Sequence, residues 1–309
     1  MNPAIEINVG SWVSAVTFSA NGDLWTSGEG GVRVWQVEDG KQIATVEAKH
    51  VPCLTVSKDG RWIAAGTGWG AVFVWNAQTY EQVISHREDY HDVIGVDFSP
   101  DSTRLVSASQ NRTASIWDIA TRQRVQTLDH ADLVRAAKYS PQGDRIATAT
   151  RHSVRVWDSN DGCLLVDIPA NVTPWFNTGL LWFNNYLFVV SDSEIKQITA
   201  STGSTVSEWS VPDSNRFSCI TLPQHGEFIA YSTQRTVTLW GTATHTQLGL
   251  IQQPRDIRSI AVSPDDGLLA IGAEDGKITT HSLSRISVRV LSRWIVVHVN
   301  NFLAPVVFL

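Results

Sequence analysis

The sequence predicts an all-β protein assembled from seven units in phase, and three observations lead there. Thirteen tryptophans stand against a single methionine in 309 residues. Five of them close the same kind of β-branched run at a near-constant interval, and a turn-like marker falls about 17 residues before each. No stretch of ten or more residues carries helical periodicity with caps.

The repeat comes first, because a fixed period dictates the architecture. The runs are Val32-Arg33-Val34-Trp35, Val72-Phe73-Val74-Trp75, Ala114-Ser115-Ile116-Trp117, Val154-Arg155-Val156-Trp157 and Thr238-Leu239-Trp240. The first four tryptophans are 40, 42 and 40 residues apart. The next gap, 83 residues, is two periods with one marker missing. Ile198 fills it, and one further period of 41 lands on His281. Seven units cover roughly residues 5–284.

The turn marker is the second element. It reads Phe18-Ser19-Ala20-Asn21-Gly22, Val56-Ser57-Lys58-Asp59-Gly60, Phe98-Ser99-Pro100-Asp101, Tyr139-Ser140-Pro141-Gln142-Gly143, Leu222-Pro223-Gln224-His225-Gly226 and Val262-Ser263-Pro264-Asp265. An apolar residue ends one strand, then Pro presets φ and Gly accepts a left-handed conformation, so the chain reverses. Short apolar stretches follow, such as Leu268-Leu269-Ala270-Ile271-Gly272. Strands of about five residues with a turn every 8 to 12 form an all-β pattern.

Composition bounds the function. With 43% hydrophobic and 17% charged residues, long disorder is not expected. A net charge of -6 argues against a phosphate-binding surface, so no nucleic-acid partner is expected. Cys53, Cys163 and Cys219 are too scattered for a disulfide framework or zinc site, so a reducing compartment, cytoplasmic or nuclear, is expected. The first six residues lack the basic start and apolar run of a secretory signal.

Together these motifs resemble WD40 repeats, through the period near 41, the Phe-Ser-Pro-Asp-Gly-like turn and the strand-ending Trp117-Asp118 and Trp157-Asp158. The resemblance covers about nine-tenths of the chain. It implies a seven-bladed β-propeller, four antiparallel strands per blade around a central channel, with tryptophans wedged between neighbouring sheets. It also implies a buried His, Trp and Asp network in each blade, and here the sequence departs. His130 alone stands at the His position. Asp192 and Asp275 hold the Asp position, but Glu29, Trp69, Asn111, Arg151 and Gln234 replace it elsewhere. Apolar packing must therefore hold most blades together. Blade five, with Asn184-Asn185 as its turn and Ile198 for Trp, is expected to be the most distorted. Family members usually close the ring with an N-terminal strand. Ile5-Glu6-Ile7 fits that slot and is favoured, although Ile286-Ser287-Val288-Arg289-Val290-Leu291 also alternates like a strand.

No chemistry is legible. His86 and His91, with Asp89 and Asp92, form a loose cluster in a predicted loop, short of the convergent ligands a metal needs. His245 and His281 read as half-exposed strand residues. Gly28-Glu29-Gly30-Gly31 and Gly66-Thr67-Gly68-Trp69-Gly70 lie between strands, so they read as hairpin turns and not as phosphate cradles, which lead into helices. Local nucleophile, Walker and His-Glu-x-x-His motifs are absent. No enzyme activity, metal or cofactor is expected.

The expected function is a non-enzymatic, monomeric interaction scaffold that binds an unidentified protein or peptide through its channel-rim loops. The alternative is a propeller enzyme or small-molecule binder using the central channel. The family's docking positions, just before and within the start of each innermost strand, select Trp12, Arg135, Trp175, Phe176, Arg216 and Arg258. Trp and Arg are types that dominate interface energies. Trp175 and Phe176 fit equally well as patches on a deformed blade-five core, and Trp12 also fits as a loop residue folded over blade one. Residues 285–309 break the period, giving two segments: a propeller over 1–284 and an apolar tail. The last sixteen residues, interrupted by His298, Asn300, Asn301 and Pro305, are short of the ~20 a spanning helix needs, so no membrane anchor is expected.

Overall fold

The computed structural model describes residues 5–87, 90–170, 172, 179–191, 194–210 and 217–283. Every regular element among them is a strand. The chain begins with β1 (Ile5–Asn8). Blade one follows as β2 (Val13–Phe18), β3 (Leu24–Gly28), β4 (Gly31–Trp35) and β5 (Gln42–Val46). Blade two is β6 (Cys53–Val56), β7 (Trp62–Gly66), β8 (Ala71–Asn76) and β9 (Gln82–Arg87). Blade three is β10 (Val93–Phe98), β11 (Arg104–Ser109), β12 (Thr113–Asp118) and β13 (Gln123–Asp129). Blade four is β14 (Ala136–Tyr139), β15 (Arg145–Ala149), β16 (Ser153–Asp158) and β17 (Leu164–Pro169). Blade five is β18 (Leu180–Phe183), β19 (Tyr186–Val190), β20 (Glu194–Thr199) and β21 (Thr205–Ser210). Blade six is β22 (Phe217–Thr221), β23 (Phe228–Thr233), β24 (Thr236–Gly241) and β25 (Gln247–Gln252). Blade seven opens with β26 (Ile257–Val262), β27 (Leu268–Ala273) and β28 (Lys277–Ser282), and β1 supplies its outer strand.

The ring is thus closed from the N-terminal side, as favoured from sequence. Ile5 pairs with Thr280 and Asn8 with Lys277, Ile7 is buried, and Lys277 forms an ion pair with Glu6. The rival segment Ile286–Leu291, with the rest of 284–309, lies outside the described residues. Blade five keeps all four strands, and its inner strand is no shorter than β6 or β14.

Why tryptophan recurs is visible in the pairing. In blades one to six the register between third and fourth strands slips at the same place, between Val34 and Trp35, Val74 and Trp75, Ile116 and Trp117, Val156 and Trp157, Gln197 and Ile198, Leu239 and Trp240. Such a bulge bends the strand and re-aims the side chain. Here the ring swings onto the preceding blade. Trp75 packs among blade-one residues, Trp117 against blade two, Trp157 against blade three, and Trp35 against blade seven. The buried clusters are seven, one per interface between neighbouring sheets. The core therefore lies between blades, each large ring burying on the order of 150–250 Å².

The turn markers also have local causes. The Ser57, Ser99, Ser140 and Ser263 hydroxyls accept from the amides of Trp62, Arg104, Arg145 and Leu268 at 2.9, 2.9, 3.1 and 2.8 Å, closing each turn. Asp118 and Asp158, after their tryptophans, accept from the amides of Thr121 and Asn160 at 2.7 and 2.8 Å. Those aspartates are turn caps.

Polar networks form where the sequence allows them. Trp35, Trp117 and Trp157 donate to Thr26, Ser107 and Thr148 at 2.9, 2.9 and 2.8 Å. In blade four His130 joins, with Nε2 2.8 Å from the Thr148 hydroxyl and Nδ1 3.0 Å from the Leu128 carbonyl. A carbonyl only accepts, so Nδ1 carries the proton and Thr148 donates to Nε2. Burial holds His130 neutral and pushes its pKa down to about 4. Blade seven uses another pair. Gln253 Nε2 lies 3.3 Å from His281 Nε2 and donates to Thr279 Oγ1 at 3.1 Å. This corrects the reading of His281 as half-exposed: it sits on a third strand, with Nε2 against Gln253, and is buried.

Candidate interaction surface

Antiparallel order sorts the loops onto two ends. Connections between blades and the turns between second and third strands share one mouth of the channel; the remaining turns lie at the other. On the first mouth, among the described residues, backbone hydrogen bonds bind the segments entering blades two, three, four and seven to a turn. The amides of Gly68, Gln110, Arg135, Ile257 and Glu274 donate to the carbonyls of His50, Asp92, Ala149, Gln234 and Asp256 at 2.7, 2.9, 2.7, 2.7 and 2.9 Å. Side chains there are carried on a stiff rim.

Three of the six selected residues are described, and all three lie on this mouth. Trp12 is 49% exposed, so it is not folded away over blade one. It lies against Gly28, where an added Cβ would sit 3.6 Å from the indole Cδ1. Arg258 donates to Glu274 at 3.1 Å, both side chains nearly half exposed. Beside it Arg235 donates to Asp256 at 2.8 Å, a bond that, with Gln234 and Arg258 nearby, holds the Asp256 carboxyl below the usual carboxylate range. The Glu274 turn reaches the Trp12 segment: a Cβ at Gly276 would press on the Ser11 backbone. Trp12 and Arg258 therefore belong to one sector. Arg135 stands apart on blade four, half-buried. Burial lowers its pKa, Asp132 opposes that, and Arg151 adds to it. Trp175, Phe176 and Arg216 lie outside the described residues.

Sequence reasoning passed over another part of the rim. Trp69, 48% exposed, and Tyr90, 81% exposed, stand on the same mouth. The His50 ring lies 4.6 Å from that of Trp69, and the Arg87 guanidinium 4.3 Å above the Tyr90 ring. The available signal was a large aromatic inside a turn with no strand partner to cover it.

Reactive chemistry is sparse. No group of three or more metal-ligating side chains converges among the described residues. His86 lies on β9, not in a loop, with its ring 4.8 Å from that of Trp117, and Asp89 falls outside the described residues. Burial pushes the Cys53 and Cys219 thiols up to about 12, which leaves them protonated and poor nucleophiles near neutral pH. The opposite mouth holds a cavity of about 260 Å³ walled by Phe18, Val56, Leu222 and Val262, with Lys58 and Asp266 at its edge. No helix among the described residues is long and apolar enough to cross a membrane.

With seven four-stranded blades in place, a sequence profile described as "WD domain, G-beta repeat" matches residues 40–76, 80–118, 122–158 and 246–279. The chain thus carries WD40 repeats in a seven-bladed propeller. Among WD40 relatives, it is 22% identical to "Transcriptional corepressor LEUNIG_HOMOLOG" of Arabidopsis thaliana, over 75% of this chain and 35% of that one. It is 22% identical to "Transcription factor unc-37" of Caenorhabditis elegans, over 90% and 48%. "Pre-rRNA-processing protein crb3/ipi3" of Schizosaccharomyces pombe is 25% identical, over 83% and 59%. The chain thus spans between about a third and three-fifths of these relatives' lengths. The WD40 fold itself is matched by a chain of the solved "Crystal Structure of Mitotic Checkpoint Complex", with TM-score 0.79 and 18% identity over 91% of this chain and 94% of that one.

Proposed function

We propose that this WD40 propeller is a non-enzymatic scaffold that docks a protein or peptide on the mouth carrying Trp12, Arg135 and Arg258. Trp175, Phe176 and Arg216 belong to the same proposal by their place in the repeat. The observation that carries it is exposed aromatic and arginine side chains mounted on entry segments pinned by backbone hydrogen bonds. Such side chains lose little ordering entropy on docking. The exposed Arg258–Glu274 pair contributes little to stability, leaving both groups available to a partner. The names of the relatives, a corepressor, a transcription factor and a pre-rRNA-processing protein, support a nuclear or cytoplasmic setting among other proteins. A monomeric propeller over residues 1–284 with an appended apolar tail completes the reading. Affinity purification of wild type beside the Trp12→Ala/Arg258→Ala double variant tests it. At least one specific partner should be lost from the variant; retention of every partner would overturn the assignment.

A further inference from the structure

The exposed large apolar side chains of the described residues divide by kind. The aliphatic ones, Ile43, Val125, Leu164, Leu165, Val206 and Leu250, all lie on outer strands. The aromatic ones, Trp12, Trp69 and Tyr90, all lie on one mouth, over blades one to three. They form an arc over three consecutive blades. Trp12 abuts Gly28; the neighbouring Ser27 hydroxyl donates to the Val51 carbonyl at 2.8 Å; His50, next in sequence, packs on Trp69. Arg87 then donates to the Trp69 carbonyl at 3.0 Å and covers one face of Tyr90.

Two properties of the arc restrict what can lie on it. First, charges of both signs border it in sequence, Lys49 and Arg87 with Glu29, Glu88, Asp89 and Asp92. Arg87 already occupies a face of Tyr90, so an added cation meets a like charge there. Second, both exposed indole N–H groups and the Tyr90 hydroxyl are without hydrogen-bond partners among the described residues. An indole N–H only donates. The arc therefore offers flat apolar faces bordered by spare donors, which suits an apolar ligand rich in acceptors and poor in donors.

We infer that the arc binds a proline-rich segment of a partner protein in the polyproline II conformation. This rests on the rim being a docking surface, as proposed above. Proline rings are flat and apolar, proline nitrogens donate nothing, and polyproline II leaves every carbonyl outward and unbonded. Rings stack on Trp12, Trp69 and Tyr90 while those carbonyls accept from the indoles and the phenol. The stiff ligand loses little entropy on binding, the logic of aromatic grooves that take such segments.

The test titrates the full chain with a proline homopeptide of about ten residues, read by calorimetry and by the indole N–H resonances. Saturable binding is expected, with the Trp12 and Trp69 indole signals shifting. Trp69→Ala and Tyr90→Ala should each weaken it about thirtyfold, the level of an interface hot spot. Trp69→Phe, which keeps a ring but no donor, should fall between, and Leu165→Ala on the outer edge should bind like wild type. Unchanged melting temperatures would establish that the variants fold. Absence of saturable binding, binding indifferent to Trp69→Ala, or preference for a polyglutamate or polylysine peptide of equal length would overturn the inference. If the homopeptide fails while Trp12→Ala/Arg258→Ala still strips a protein partner, only the proline-rich ligand falls and the rim reading stands.

Discussion

Acid should weaken this protein through His130, by an amount the structure permits working out. The imidazole is buried, and its proton accounting is complete while neutral: Nδ1–H reaches the Leu128 carbonyl and Nε2 accepts from Thr148, which is also held by Trp157. Protonation would force a donor against the Thr148 hydroxyl and place a charge between sheets. The folded pKa of about 4 stands against 6.5 in the unfolded chain. At ~1.4 kcal/mol per tenfold change in proton affinity, the full penalty is about 3 kcal/mol. The folded pKa is depressed, so the unfolded state takes up the proton first. Stability from this group is fully present above about pH 6.5 and is lost as pH falls toward 4. About 2 kcal/mol should be gone by about pH 5. The assay is urea denaturation of wild type and His130→Gln at several pH values. Subtracting the two removes other titrating groups, including the buried His281. The difference should be flat above pH 6.5 and shrink against wild type below it. A difference independent of pH between 7 and 4.5 would refute the neutral, satisfied histidine.

Other perturbations probe the packing. Trp117→Ala empties a fully buried slot between blades two and three and removes the donor to Ser107, so urea denaturation should show a loss of about 3–5 kcal/mol. Ile7→Ala, in the closing strand, should cost about 2–5 kcal/mol, whereas Lys277→Ala beside it, an exposed ion pair, should cost under ~1 kcal/mol by the same measurement. Gly226→Ala puts a Cβ into the Phe183 ring at a positive φ of 64°, so thermal melting should show destabilisation of about 1 kcal/mol or more.

The fold was legible because its markers solve a recurrent physical problem. A bulge aims a large ring at the preceding sheet, and a serine hydroxyl closes the turn before it; both needs repeat with the blade, so both left a period in the chain. Ring closure was less legible, since two segments alternate suitably and only pairing with β28 distinguishes the one in place. His281 was placed correctly in the tryptophan slot, yet read as half-exposed: it packs beside Gln253, on the segment between blades six and seven, a contact that spacing does not show. On the rim, counting positions found Trp12 and Arg258. It could not show that Arg258 meets Glu274, nor that Trp69 and Tyr90 join Trp12 in one arc. Trp69 was seen only as the occupant of a position where the family has Asp, and its exposure depends on how two blades meet.

The position of β1 also bears on how the protein is made. Glu6 and Lys277, paired across the closing seam, are 271 residues apart. A ribosome releases the first of them long before the second exists, so a nascent chain can stack blades one to six while β1, already synthesised, waits for the last. Until then β1 would present bare edges, open to any extended segment nearby. Translation that halts short of β28 would leave an arc of sheets with an unclaimed strand at its head, a species for chaperones to recognise.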